Sequence, residues 1–193
     1  MQNKREVLLF FGSFNPIHIG HLAIANYMVE FCDIDELWFV ITPQNPLKKA
    51  KDLLPDRDRQ HLVNLAIGNF HKFKACDIEF YLQKPNYTIN TLTYLSEKYP
   101  TCKFSLLIGG DNLETFYKWK NYKMILEKYR IYVYKRPGAK IVEYENSDIV
   151  VPDVPQMEIS ASFIRDAISK NKDVRYFLPE KVYEYILKMG WWK

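Results

Sequence analysis

Short apolar runs alternate along this chain with stretches in which apolar residues recur every three or four positions. The runs predict strands at Glu6–Gly12, Glu36–Thr42, Asp77–Leu82, Lys103–Ile108, Arg130–Tyr134 and Ile149–Val151. The periodic stretches predict helices at Gly20–Cys32, Asp56–Phe70, Thr88–Lys98, Thr115–Lys128, Ser160–Lys170 and Pro179–Met189. Strands that alternate with helices imply right-handed crossovers and a parallel sheet covered on both faces. Several boundaries carry their own chemistry. Pro55-Asp56 opens the second helix, and Tyr99-Pro100 closes the third, because a residue before proline is pushed out of helical geometry. Lys135-Arg136-Pro137-Gly138 ends the fifth strand in a turn. With no internal repeat, low-complexity stretch or linker, residues 1–193 are expected to form a single α/β domain, its C-terminal helical part starting near residue 160.

Composition narrows the kind of partner. The formal net charge of +4 is mild, and the lysines are spread out apart from a cluster at Lys48, Lys49 and Lys51. Small anionic ligands fit that charge at least as well as a nucleic acid does. Cys32, Cys76 and Cys102 sit far apart, in or beside apolar runs, and match no metal spacing. They are expected to be reduced thiols of a cytoplasmic protein. The opening Met-Gln-Asn-Lys-Arg-Glu leads into a strand without the apolar region of a signal peptide, and no apolar run approaches the roughly 18 residues of a membrane span. The Gly-x-Gly-x-x-Gly fingerprint is missing after the first strand, as is the lysine loop of P-loop NTPases. An ordinary dehydrogenase is therefore not expected, and phosphate handling must come from another motif.

That motif is Gly12-Ser13-Phe14-Asn15-Pro16-Ile17-His18-Ile19-Gly20-His21, which follows at once on the apolar run Val7–Phe11. Two imidazoles three residues apart sit where a helix begins, beside backbone N–H groups with no partner inside the helix. Such a place can hold a polyphosphate. The plainer alternative makes His18 a helix cap and His21 a hydrogen-bonded bystander. A second motif, Ile159-Ser160-Ala161-Ser162-Phe163-Ile164-Arg165, follows the last predicted strand. Ser160 suits an N-cap, Ser162 falls in the first turn, and Arg165 can grip phosphate oxygens through its planar fork. Alone, this string is also compatible with an ordinary capped surface helix.

Together the two motifs closely resemble the nicotinate-nucleotide adenylyltransferase family over nearly the whole chain. The string His18-Ile19-Gly20-His21 is shared more widely, with nucleotidyl-transferring proteins that include class I aminoacyl-tRNA synthetases. Further family features are matched by Asn86-Tyr87-Thr88, by Gly109-Gly110-Asp111 with Trp119 eight residues beyond the aspartate, and by Arg136-Pro137-Gly138. Where the family has a Pro-His-Lys loop this chain reads Pro46-Leu47-Lys48, so the lysine is kept and no histidine role carries over.

The resemblance implies a Rossmann-like, doubly wound parallel sheet of the nucleotidyltransferase type. It implies transfer of AMP from ATP to nicotinate mononucleotide, giving deamido-NAD and pyrophosphate. His18, His21, Lys48 and Arg165 are the implied catalytic residues. ATP is expected on Gly12, Ser13, Phe14, His18, Gly20, His21, Ile159, Ser160, Ser162 and Arg165. Nicotinate mononucleotide is expected on Asn15, Lys48, Tyr87, Thr88, Gly109, Asp111, Trp119 and Arg136. Mg²⁺ is the implied cofactor, bound through the ATP phosphates rather than by a protein cage. Neither nucleic acid nor membrane is an expected partner, and the sequence leaves room for a homo-oligomer.

Several assignments stay open at this level. Trp119 is either a stacking platform or a partly buried core aromatic, and Asp111 either faces a ribose or an amide or simply forms a turn. Arg59 matches a family arginine and equally suits a surface ion pair. Arg136 either approaches a phosphate or merely precedes its proline turn. His61 and His71 look like solvated helix positions, and Trp191-Trp192 either docks on the body or forms an oligomer contact. The nearest rival functions are nicotinamide mononucleotide and phosphopantetheine adenylyltransferases of the same fold. His18 argues against the second, which typically has threonine there. A synthetase-like RNA-binding protein would need a Lys-Met-Ser-Lys-Ser-type loop. Lys123-Met124 instead continues into helix-forming Ile125-Leu126-Glu127. A silent nucleotide sensor is the remaining alternative, against which both complete motifs speak.

Overall fold

The structure, a computed structural model, describes residues 4–43 and 53–193. Six strands, β1 (Arg5–Gly12), β2 (Glu36–Ile41), β3 (Phe73–Cys76), β4 (Cys102–Gly109), β5 (Ile131–Tyr134) and β6 (Ile149–Val150), form one sheet in the order β3-β2-β1-β4-β5-β6. All five pairings are parallel. The expected doubly wound α/β fold is thus present, and its strand order reverses between β1 and β4, where such sheets open a crevice at their C-terminal edge.

The alternation along each strand explains why the sheet is covered on both sides. Leu8 and Phe10 of β1, Leu37 and Phe39 of β2, and Tyr132 and Tyr134 of β5 join one core. Helices α1 (Ile19–Phe31), α2 (Asp56–Ile67), α6 (Ala161–Ser169) and α7 (Glu180–Met189) contribute to that same side. Val7 and Leu9, Trp38 and Val40, and Ile131 and Val133 point the other way, towards α3 (Thr88–Lys98), α4 (Gly110–Glu114) and α5 (Tyr122–Lys128). Val7, Leu8 and Leu9 are fully buried, each side chain contributing about 1.5–3 kcal/mol on removal from water. Trp191 packs its ring 5.6 Å from that of Tyr185, and both C-terminal tryptophans lie against the first core. They dock on the body.

Two predicted elements need correction. The second helix stops at Ile67, because Gly68 takes a left-handed φ of 53° and ends it. The third strand is therefore Phe73–Cys76 rather than Asp77–Leu82, and Ile78–Phe80 is a 3-10 turn. His71 accordingly lies in the turn before β3, exposed but not on a helix, whereas His61 is exposed on α2. The single helix expected over Thr115–Lys128 is broken into a 3-10 turn, Phe116–Lys118, an extended Trp119, and α5. Asn121 makes the break by adopting the left-handed conformation, φ 52° and ψ 37°, that asparagine tolerates.

Candidate active site

The crevice is shaped by how β1 ends. Phe14 has a φ of 46° and folds its ring back over Gly12, where a Cβ would meet the Phe14 Cζ at 2.8 Å. Only glycine fits beneath that ring. Phe14 then presents its edge to His21, with ring centroids 5.2 Å apart, and Phe10 does so at 5.9 Å. His18 occupies the extended N-cap position of α1, and its backbone N–H donates to His21 Nδ1 at 3.2 Å. The two imidazoles stack at 3.7 Å with an interplanar angle of 28°.

This packing decides the protonation of the pair. Burial and, secondarily, the Arg136 guanidinium depress the His18 pKa from 6.5 to about 4. Burial, His18 and Arg136 hold His21 well below its ordinary value. Both rings are neutral near pH 7. Because Nδ1 of His21 accepts a hydrogen bond, its proton resides on Nε2, which becomes a donor.

The two motifs meet across the crevice. Ser160 caps α6 by accepting from the Phe163 N–H at 3.1 Å, and Arg165 Nη1 donates to the Asn15 carbonyl at 2.8 Å. A cavity of about 740 Å³ is lined by Gly12, Ser13, Phe14, Asn15, His18 and His21 on the β1 side. Ile159, Ser160, Ser162 and Arg165 line it from α6, and Tyr87 and Thr88 from the start of α3. Gly109, Asp111, Trp119 and Arg136 complete the expected set. Asn15 is tied into the wall, since its Oδ1 accepts from the Leu54 N–H at 3.1 Å. Gly20 lies instead along an adjoining cavity of about 320 Å³, between His18 and the Val154–Ser160 segment. Lys48 and Leu47 fall outside the described residues.

Arg136 links the cavity's charges. It donates to Tyr134 Oη at 2.9 Å and lies 3.5 Å from Asp111 Oδ2. A Cβ on Gly109 would come within 2.5 Å of Asp111 Oδ1, so that glycine permits the close approach. Among the described residues no His, Cys, Asp or Glu cluster forms a metal cage.

Arg59 departs from the surface ion pair that its position in the sequence suggests. It is fully buried, and it donates to the carbonyls of Ser13, Thr42, Leu54 and Pro43 at 2.6, 2.9, 3.0 and 3.4 Å. Its ion pair with Asp56, at 2.5 Å, completes the set. Glu79, also buried, accepts from the Thr91 hydroxyl at 2.7 Å and lines the cavity. Lys118, Lys120, Thr42 and Tyr134 join that lining as well. Apart from the family match at Arg59, no local pattern announced them.

The sequence and the fold have counterparts elsewhere. The cytidylyltransferase-like family model matches residues 9–167, a span that takes in both motifs. A probable nicotinate-nucleotide adenylyltransferase of Flavobacterium psychrophilum is 48% identical over 97% of this chain and 99% of its own. One from Christiangramia forsetii is 47% identical over 98% of this chain and 100% of its own. The chain belongs to the nicotinate-nucleotide adenylyltransferase family. Its fold is shared by Plasmodium falciparum nicotinic acid mononucleotide adenylyltransferase, solved in complex with NaAD, with a TM-score of 0.81 at 20% identity over 97% of both chains. Family membership fits the cavity, whose lining takes Gly12, Ser13, Phe14, Asn15, His18 and His21 from the first motif and Ile159, Ser160, Ala161, Ser162 and Arg165 from the second.

Proposed function

We propose that this protein joins ATP and nicotinate mononucleotide into nicotinate adenine dinucleotide, releasing pyrophosphate, as a cytoplasmic step of NAD synthesis. One juxtaposition carries the reading: the stacked His18–His21 pair, Arg165 and Trp119, drawn from separate stretches of chain, line a single cavity. The mononucleotide's 5′-phosphate is already ionised near neutral pH and supplies the attacking oxygen. A bond forms from that oxygen to the α-phosphorus of ATP as the bond to the bridging oxygen of the β-phosphate breaks. Pyrophosphate then leaves. No general base is required, so catalysis lies in positioning and in stabilising the moving charge.

His21 Nε2–H donates to the α-phosphate, and His18, stacked on it, completes the donor pair. Arg165, Ser160, Ser162 and the first turn of α6 hold the triphosphate. Lys48 joins them on the strength of the family motif alone. Gly12, Ser13, Phe14, Gly20 and Ile159 let the nucleotide come close to the backbone. Arg136 receives the mononucleotide phosphate, with Asn15, Gly109 and Asp111 around its ribose, while Trp119 stacks on the pyridine beside Tyr87-Thr88. The cavity's carboxyls are Glu79, engaged by Thr91, and Asp111, paired with Arg136. That donor set suits a hydrated Mg²⁺ carried on the phosphates, where it neutralises part of their charge.

The test is release of pyrophosphate from ATP and Mg²⁺ by the purified protein. Release should depend on nicotinate mononucleotide. No release with that acceptor, or equal release with phosphopantetheine, would refute the reading.

A further inference from the structure

Lys118 and Lys120 flank Trp119 and both line the cavity. Among the described residues neither ammonium has a carboxylate partner. Lys120 Nζ instead lies 4.4 Å from the centroid of the Tyr87 ring, and Lys118 Nζ lies 5.4 Å from that of Tyr117. Tyr87 is the N-cap of α3, makes no side-chain cap, and is followed by a first turn without an acidic residue. A cation beside a helix N-terminus meets the positive end of the helix dipole, an unfavourable pairing unless an anion lies between them. Glu79 does not supply that anion, since burial pushes its carboxyl up towards the neutral form.

The same part of the cavity carries a second kind of mismatch. Asn86 is 7% exposed, and its Oδ1 has no hydrogen-bond partner. It lines the cavity. A buried acceptor without a donor suits the edge of an electron-poor ring, whose C–H groups carry partial positive charge. An N-ribosylated pyridine bearing a carboxylate answers both mismatches: its ring is cationic and its substituent anionic. An amide substituent would answer only the second, since it brings no anion to the lysines.

Resting on the pyridine-nucleotide reading above, we propose that Lys120, assisted by Lys118, is the charge that selects an acid over an amide on the pyridine ring. The lysines place positive potential where the substituent lies, and the start of α3 adds N–H donors of the same sign. Main-chain donors alone would accept the carbonyl of an amide as well as a carboxylate oxygen. The ammonium makes the distinction, because only the carboxylate carries a full charge to meet it.

The test compares kcat/KM for nicotinate and nicotinamide mononucleotides, at saturating ATP and Mg²⁺, in Lys120→Met, Lys120→Arg and Lys118→Met. Lys120→Met should lower kcat/KM for the acid about tenfold, mainly through KM, and shift the acid-to-amide ratio by nearly that factor. Lys120→Arg should keep most of the ratio, and Lys118→Met should move it less, in the same direction. Equal losses for both substrates, or an unchanged ratio in Lys120→Met, would overturn the proposal. A wild-type protein inactive with both pyridine nucleotides would instead remove the functional reading beneath it.

Discussion

At His21, burial, the stacked ring of His18 and the Arg136 guanidinium all oppose a positive charge. His18 sits under the same burial and the same guanidinium. Depressed folded-state pKa values make the pair a source of pH-dependent stability. Their contribution is fully present above the ordinary value of 6.5 and is lost as pH falls through that value towards about 4. Urea midpoints of the ligand-free protein should therefore drop between about pH 7 and about pH 5, and less so in a His18→Asn, His21→Asn double variant. Equal drops in the two proteins would show that the imidazoles are not the cause.

Arg59 shows what holds the elements of the site together. One guanidinium spans the loop after β1 at Ser13, the end of β2 at Thr42 and Pro43, and the start of α2 at Leu54 and Asp56. Removing it as Arg59→Ala leaves several carbonyls without donors and should cost about 3 kcal/mol in urea unfolding. Lysine, with one ammonium for acceptors spread over three elements, should recover only part. A loss within about 0.5 kcal/mol would mark Arg59 as an ordinary surface charge. Its sequence context, early in a polar helix, carried no sign of that burial, because the acceptors come from other elements. The same distinction runs through the rest of the chain. Strands β1, β2, β4 and β5 were legible, since apolar runs bounded by turns are local signals. Helix α3 was legible to the residue. The displaced β3 and the broken helix at Asn121 were not, because Gly68 and Asn121 act through left-handed backbone that hydrophobic periodicity does not register.

At the scale of the whole molecule, the reversal of strand order between β1 and β4 opens the crevice, and both motifs arrive at it from opposite ends of the sequence. Their chemistry was readable because each motif sits at a strand-to-helix junction. The wall they share was not, since Lys118, Lys120, Glu79 and Tyr134 reach it through tertiary packing. The lining carries Arg136, Arg165, Lys118 and Lys120 against Asp111 and Glu79, a balance that favours anionic ligands well beyond what a net charge of +4 suggests. In the proposed reaction the neutral His21 donor acts on the reacting phosphate. Steady-state pyrophosphate release by His21→Ala, with ATP, Mg²⁺ and nicotinate mononucleotide all saturating, isolates that contribution. Loss of that donor should lower kcat about 100-fold or more, without a comparable loss of folding stability. Turnover by the folded variant within about twofold of the parent would remove His21 from the chemistry.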